Sequence, residues 1–258
     1  MHIQSYAFYY LWIAPHLLLL PVAHLMFRRG LHKEFPIFFS YLLFEFFQFC
    51  ALFTMHLIDY TLHLYAFPSW MNTTVDLIFR TGSIALHFGI LQELFESPVT
   101  HSLELRQKSA RILRWISGVL IVMALLFVGS LYYGTVGHRL VPAYATLESF
   151  NVAQCGLIVF LFLWYHYLGI TMAPFAFGIA LGIGVTACSE PLIHAWADSL
   201  AFRRSGVPND LGMGAFHLTV LIWLYYAYAQ KKIAFNAGSV PVPRLREWAA
   251  SSERIVRL

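Results

Sequence analysis

Six residues with charged, imidazole or amide side chains lie inside long apolar segments of this sequence. They are Asp76, Arg80, Glu148, Asn151, Glu190 and His217. Such groups are costly away from water, so they usually face one another or a wet cavity. Carboxylates, a guanidinium and an imidazole in one place can bind a polar ligand, hold a cation or pass protons. We interpret these six residues as the candidate ligand-binding site.

Helical spacing and depth indicate that these side chains meet. Asp76, Arg80 and His87 recur at intervals that place them on one face of a helix, and Glu148 and Asn151 share a face of another. We count depth from the outer ends of the segments at about 1.5 Å per residue. The charged members and His217 then lie roughly 6–12 Å deep, with Asn151 slightly deeper. The sequence therefore predicts one polar cluster in the outer half of a helix bundle.

A second, sparser tier of polar residues is expected deeper in the bundle. Its members are Glu45, Gln48, His87, His16 and His24. For His16 and His24 we expect packing or an interhelical hydrogen bond. The two tiers together are compatible with a proton path, and a proton-coupled transporter in which Glu45 and Glu190 titrate is one hypothesis. No inverted repeat or pair of broken helices supports it.

A purely structural interpretation of the cluster stands beside the ligand-binding one. Asp76 and Arg80 can pair along their own helix, and Glu148 or Glu190 can complete a charge network. Such a network can serve only to fix which helices meet, and a carboxyl group in it can be protonated and neutral.

The same residues also allow a metal-dependent hydrolase acting on a lipid or an amphiphile. In this alternative Glu148, Glu190, His194 and His217 hold a zinc ion, and Asp76 acts as base. Carboxylate and imidazole ligands suit zinc. Zinc is expected only under this alternative, and the sequence by itself leaves both an enzyme and a binding protein open.

Composition identifies the elements that must position these residues. Of the 258 residues, 59% are hydrophobic and 12% are charged, about half the charged fraction of soluble domains. Seven segments reach the roughly 20 apolar residues that a membrane-spanning helix needs. They are Tyr6–Phe27, Pro36–Ile58, Asn72–Phe95, Ile112–Tyr133, Val141–Leu168, Met172–Trp196 and Leu211–Tyr228. The predicted fold class is an all-α integral membrane protein, a seven-helix bundle.

The distribution of Lys and Arg predicts the orientation of this bundle. With the N-terminus outside, the cytoplasmic side holds Arg28, Arg29, Lys33, Arg106, Lys108, Arg111, Arg114, Lys231, Lys232, Arg244, Arg246, Arg254 and Arg257, whereas the outer side holds only Arg139, Arg203 and Arg204. Basic loops remain cytoplasmic, so we predict the N-terminus outside, the C-terminus in the cytoplasm, and a plasma (inner) membrane location. Because topology explains the positive net charge, no nucleic-acid partner is expected.

Retinal is disfavoured as a cofactor. Retinal-binding seven-helix proteins carry a Lys on their last span, whereas Lys231 and Lys232 follow it here. The expected partners are the lipid bilayer, a small polar ligand or ion, and a partner membrane subunit.

The remaining predictions concern the tail, the glycines and the cysteines. Residues 1–232 are predicted as the transmembrane domain and 233–258 as a cytoplasmic tail, which forms either an amphipathic helix on the membrane surface or a solvated segment. Gly178 and Gly182 have the spacing that lets helices approach closely. Cys50, Cys155 and Cys188 lie in apolar runs, and we expect them to act as small packing residues.

Overall fold

The structure, a computed structural model, is all-helical over the residues that it describes. These are residues 6–62, 69–97, 141–167, 171–197 and 207–233, together with Trp115, Gly118, Val119 and Val122. The described part of the chain holds no strand. The helices are α1 (Tyr6–Arg28), α2 (Leu31–Glu34), α3 (Pro36–Leu62), α4 (Ser69–Glu96), α5 (Val141–Tyr167), α6 (Pro174–Ala197) and α7 (Val207–Ile233).

Every one of these helices except α2 is long and apolar enough to cross a membrane. This result confirms a polytopic membrane protein, and the six spans agree with six of the predicted segments to within a few residues. Of the remaining segment, Ile112–Tyr133, the structure describes Trp115, Gly118, Val119 and Val122, which are helical and exposed. The rest of that segment lies outside the described residues.

The chain divides into two units. The first, Met1–Ala227, contains the helix bundle. The second, Tyr228–Leu258, is described only to Ile233, where the chain is still helical. The predicted tail beyond that point lies outside the described residues.

Helices α4 and α5 run side by side in the same direction. The ring of Phe88 lies 6.0 Å from that of Phe150, and further along both helices Phe95 lies 5.5 Å from Phe160. Near the ends of both helices, the hydroxyl of Tyr165 donates a hydrogen bond of 2.9 Å to the carbonyl of Leu94. Residue numbers therefore rise together along this interface.

The other pairs fix the direction of each remaining helix. His16 contacts Phe216, and Arg29 donates to the carbonyl of Ala227, so α1 and α7 are parallel. Contacts of Phe38 with both Phe175 and Trp223 show that α3 is parallel to α6 and antiparallel to α7. Helices α1, α4, α5 and α7 thus run one way, and α3 and α6 run the other way.

Apolar packing is concentrated in one half of the bundle. The largest fully buried side chains lie near the ends of α1, α4, α5 and α7 and the beginnings of α3 and α6, and include Met26, Phe35, Phe38, Leu94, Phe95, Leu157, Phe175 and Trp223. Because α3 and α6 are antiparallel to the others, these positions meet at one level. We call this level the packed half of the bundle.

One carboxylate joins α4 to the first turn of α3 in this packed half. Glu93 accepts hydrogen bonds of 2.9 Å from the backbone N–H of Ile37 and 3.1 Å from that of Phe38. The first N–H groups of a helix lack partners within the helix, and negative charge is favourable at that end. Glu93 therefore caps α3 and fixes its position against α4.

Replacing Glu93 by Gln is expected to destabilise the protein by about 1–2 kcal/mol. The amide offers one acceptor oxygen, and its NH2 group faces the second backbone donor. Thermal unfolding of the detergent-purified variant measures the effect. Glu34→Gln is the matched control, because Glu34 is exposed, and it should unfold like the wild type. Equal stability of both variants would contradict the capping role.

Glycines on α6 provide space for aromatic side chains of α7. A methyl group at Gly178 would lie 2.5 Å from Cγ of Tyr226, and one at Gly182 would overlap the indole of Trp223. We expected these glycines to permit close approach, and they do so by admitting rings. The hydroxyl of Thr219 also donates to the carbonyl of Gly182 at 3.0 Å.

Gly182→Ala should destabilise the protein by about 1–3 kcal/mol, because the added methyl group displaces Trp223 from a fully packed site. Gly184→Ala is the control: its methyl group would meet Ile158 at 3.6 Å, an ordinary contact. That variant should be neutral or more stable, since Ala favours helix over Gly. The comparison needs only thermal unfolding of both variants, and a stable Gly182→Ala protein would show that the Trp223 site is not tight.

Candidate functional site

A polar cavity of about 260 Å³ lies among all six long helices. Most of its lining is polar: His16 of α1; Tyr41, Glu45 and Gln48 of α3; Asp76, Arg80, Ser83 and His87 of α4; Asn151 of α5; and Thr186 and Ser189 of α6. Ile84, Gly212 and Phe216 complete the lining, the last two from α7. The cavity lies in the half of the bundle opposite the packed half.

Asp76 and Arg80 form an ion pair on the cavity wall. Nε of Arg80 lies 2.9 Å from Oδ2 of Asp76, four residues earlier on α4. The side chain of Arg80 is 51% exposed and that of Asp76 is 30% exposed, so the pair lies at an open part of the site. The two charges largely cancel, and an ion pair this exposed contributes little to stability.

Glu45 is the buried carboxylate of the cavity. It is 7% exposed and accepts a hydrogen bond from the hydroxyl of Ser83 on α4. Glu45 and Ser83 lie on different helices, so the bond also ties α3 to α4 within the cavity wall.

His87, deeper along α4, forms a hydrogen-bonded pair with Gln154 of α5. Nδ1 of His87 lies 3.2 Å from Oε1 of Gln154, and the imidazole packs on the ring of Tyr41 at 4.8 Å. Nε2 of His87 and Nε2 of Gln154 are buried and find no hydrogen-bond partner among the described residues. Oε1 of Gln48 is in the same situation. Buried polar atoms of this kind cost about 1–3 kcal/mol each unless something fills the space beside them.

His16 brings α1 into the site. Its Nδ1 lies 2.7 Å from the carbonyl oxygen of Trp12, and its ring stacks on Phe49 at 4.4 Å. The stacking and the hydrogen bond hold the imidazole in one orientation. His24, its predicted companion, is exposed elsewhere on α1.

The structure brings together three of the six predicted site residues: Asp76, Arg80 and Asn151 all line the cavity. His217 follows the lining residue Phe216 but is not itself part of the lining; its ring contacts Tyr10 at 5.5 Å, and its Nδ1 is buried without a described partner.

Helix positions are known for the other two predicted residues, but their side chains lie outside the described part. Glu148 is three residues before Asn151 on α5, and Glu190 follows Ser189 on α6. The side chain of His194, named for the metal alternative, also lies outside it. Within the part of the chain that the structure describes, no three His, Cys, Asp or Glu side chains are grouped to hold a metal ion.

Members of both tiers expected from sequence line a single cavity. From Asp76 to His87 the lining extends over about 16 Å of α4. Glu45, Gln48 and His87, placed in a deeper tier by residue counting, line the same space as Asp76 and Arg80. Counting along each helix takes no account of tilt or of the reach of long side chains. Tyr41 and Ser189 were missed, because a single hydroxyl in an apolar segment gives no distinctive signal.

Comparison with protein-family models, curated proteins and solved structures finds no significant match to this chain. The site is therefore interpreted from its own geometry.

Two thiols on neighbouring helices lie in contact. Sγ of Cys155 on α5 is 3.1 Å from Sγ of Cys188 on α6, and both cysteines are free. Cys155 packs against the core as expected, whereas Cys188 and Cys50 are exposed. The contact between the first two brings two sulfur atoms close to bonding distance.

A membrane-permeant disulfide-forming oxidant such as diamide should link Cys155 to Cys188. After denaturation and alkylation, the intact mass should then show one alkylated thiol per chain where the untreated protein, with three cysteines, shows three. In the Cys50→Ser variant, oxidation should lower the number of alkylated thiols from two to zero. In the Cys188→Ser variant, which cannot form the bond, both thiols should still be alkylated after oxidation. Three alkylated thiols after oxidation would mean that α5 and α6 do not bring these atoms together.

Proposed function

We propose that this protein is a seven-span membrane protein that binds a small polar ligand in an outward-facing cavity. The cavity described above carries the proposal, because all six long helices line it and five of them contribute polar side chains. Binding there would serve a sensory or ligand-binding role, or the function of a subunit in a membrane complex. Asp76, Arg80, Glu148, Asn151, Glu190 and His217 remain the predicted ligand-binding residues, to which the cavity adds Glu45, His87 and Gln48.

The parallel arrangement of α4 and α5 supports a seventh span. Two parallel membrane helices cannot follow one another in the chain unless the connection crosses the membrane an odd number of times. Residues 97–140 form that connection, and the apolar segment Ile112–Tyr133 supplies the length for one crossing.

The basic residues support an orientation with the N-terminus outside and the C-terminus in the cytoplasm, in the plasma (inner) membrane. Helices α1, α4, α5 and α7 then run inward, so their first halves face the outer side. The cavity residues Asp76, Arg80, Asn151 and Gly212 all occupy those first halves. The cavity therefore opens outward in this topology, and the packed half lies toward the cytoplasm.

The packed half favours a binding site over a transport path. Below the cavity, the ring of Tyr41 meets Trp223 edge to face at 5.9 Å, and Trp223 meets Phe38 in the same way at 5.1 Å. Trp223 and Phe38 are fully buried. These rings leave the polar lining without a continuation toward the cytoplasm among the described residues.

Filling the cavity should abolish binding. Gly212 lines the cavity and a methyl group there would meet nothing within 4 Å, so Gly212→Leu places a side chain in the open space. We would screen detergent-purified protein with small ammonium, carboxylate and neutral amide compounds. A ligand at 100 times its Kd adds about 2.7 kcal/mol, which is roughly 5–11 °C in Tm for a chain of this size.

The matched control is Gly214→Leu. Gly214 lies two residues further along α7, has equal room for a methyl group and is not part of the lining. It should keep the shift that Gly212→Leu loses. If no class of compound shifts the wild-type Tm and native mass spectrometry finds no bound species, the cluster is structural. Stoichiometric zinc in the purified protein would instead support the metal-dependent hydrolase alternative.

A further inference from the structure

The hydroxyl hydrogens of Ser83, Thr186 and Ser189 in the cavity lining are used by acceptors within the protein. Ser83 donates to Glu45. Thr186 donates to the carbonyl of Ile183 at 3.0 Å, and Ser189 donates to that of Thr186 at 2.9 Å. Each hydroxyl has one hydrogen and two lone pairs, so these three groups offer only oxygen lone pairs to an occupant.

The two imidazoles also offer acceptors. A carbonyl oxygen can only accept, so Nδ1 of His16 carries the proton in its bond to Trp12. With Oε1 of Gln154 as its partner, Nδ1 of His87 likewise carries the proton. In the neutral ring the other nitrogen, Nε2, is then an acceptor. Nε2 of His87 is buried and has no partner among the described residues.

Gln48 adds a further acceptor, since its Oε1 is buried without a described partner. The charged side chains of the lining agree with this acceptor character. Asp76 and Arg80 offset each other, and Glu45 is a further, buried carboxylate of the described lining. In the sequence of the six long helices, Arg80 is the only Lys or Arg outside the last turns. The described lining is therefore rich in acceptors and includes a buried carboxylate.

We propose that the cavity receives a protonated amino group, with Glu45 as its counter-ion. This inference rests on the proposed function, because it names the chemical class of the ligand that the cavity binds. An ammonium group supplies three donors and one positive charge, which match the acceptors and the carboxylate. Hydrogen bonds between two charged groups are roughly twice as strong as neutral ones.

The amino group can belong to a simple amine or to an amino acid. An amino acid also carries a carboxylate, for which the guanidinium of Arg80 is the available partner. Nε of Arg80 binds Asp76, and its other donors can bind the carboxylate of a ligand. Both sources share the ammonium group, and the experiment below distinguishes them.

Four small probes test the proposal at pH 7 by calorimetric titration of the detergent-purified full chain. Propylammonium is the cation, propionamide its neutral counterpart of similar size, propionate the anion and alanine the zwitterion. Propylammonium should bind at least about tenfold more tightly than propionamide, with propionate weakest. If alanine binds more tightly than propylammonium and Arg80→Gln removes that advantage, the ligand is an amino acid.

Glu45→Gln keeps the shape of the side chain and removes its charge. It should weaken propylammonium binding at least about tenfold and leave propionamide binding unchanged. Glu45→Asp retains the charge and should keep the preference for the cation, which makes the test independent of whether the Gln variant folds. Glu34→Gln, at an exposed position outside the cavity, should bind all four probes like the wild type.

The possible failures are distinct. If propionate or propionamide binds best, the acceptor-rich cavity does not select an amine, although a ligand-binding function stands. If propylammonium binding is equal in wild type and Glu45→Gln, the assigned counter-ion is wrong. If none of the four probes binds and no other class shifts Tm, the ligand-binding function is overturned as well.

Discussion

Trp223 fits at the centre of the bundle only because residue 182 has no side chain. Its indole is 1% exposed, occupies the space that a methyl group at Gly182 would need, and lies edge to face against Phe38 and Tyr41. One ring therefore joins α3, α6 and α7. In a membrane, close packing of this kind stabilises helix association, since lipid supplies little hydrophobic driving force between helices. The position of the cavity depends on this contact, because Tyr41 belongs both to the packing around Trp223 and to the cavity lining.

The two halves of the bundle have different physical roles. The packed half holds the helices through rings, glycine spaces and the Glu93 cap on α3. The half that contains the cavity depends on that rigidity. Its polar side chains are unfavourable in contact with lipid, and they leave open space between them instead of packing together. Helix directions place the polar parts of α4, α5 and α7 at the same level as the later parts of α3 and α6. A polar residue at that level faces the cavity if it lies on the inner face of its helix.

Sequence patterns predict the spans well and the site only in part. Runs of apolar residues determine six helices, and a spacing of four residues suffices to predict the Asp76–Arg80 pair. The grouping of Glu45 with Ser83 could not be predicted, since it depends on the offset between two antiparallel helices. The same holds for the contact of Cys155 with Cys188, which needs the register of α5 against α6. Hydropathy and periodicity describe one helix at a time, whereas registers and tilts are set by three-dimensional packing.

A self-contained charge network explains Asp76 and Arg80 but not the deeper lining. Such a network satisfies its members internally, and the exposed pair at Arg80 does so. Oε1 of Gln48 and Nε2 of His87 are instead buried beside open space without partners among the described residues. Each costs about 1–3 kcal/mol when left unpaired, a large fraction of the stability of a folded chain. The cost is removed when an occupant donates hydrogen bonds to both atoms. These two atoms therefore support the proposed ligand site over a cluster that only holds helices together.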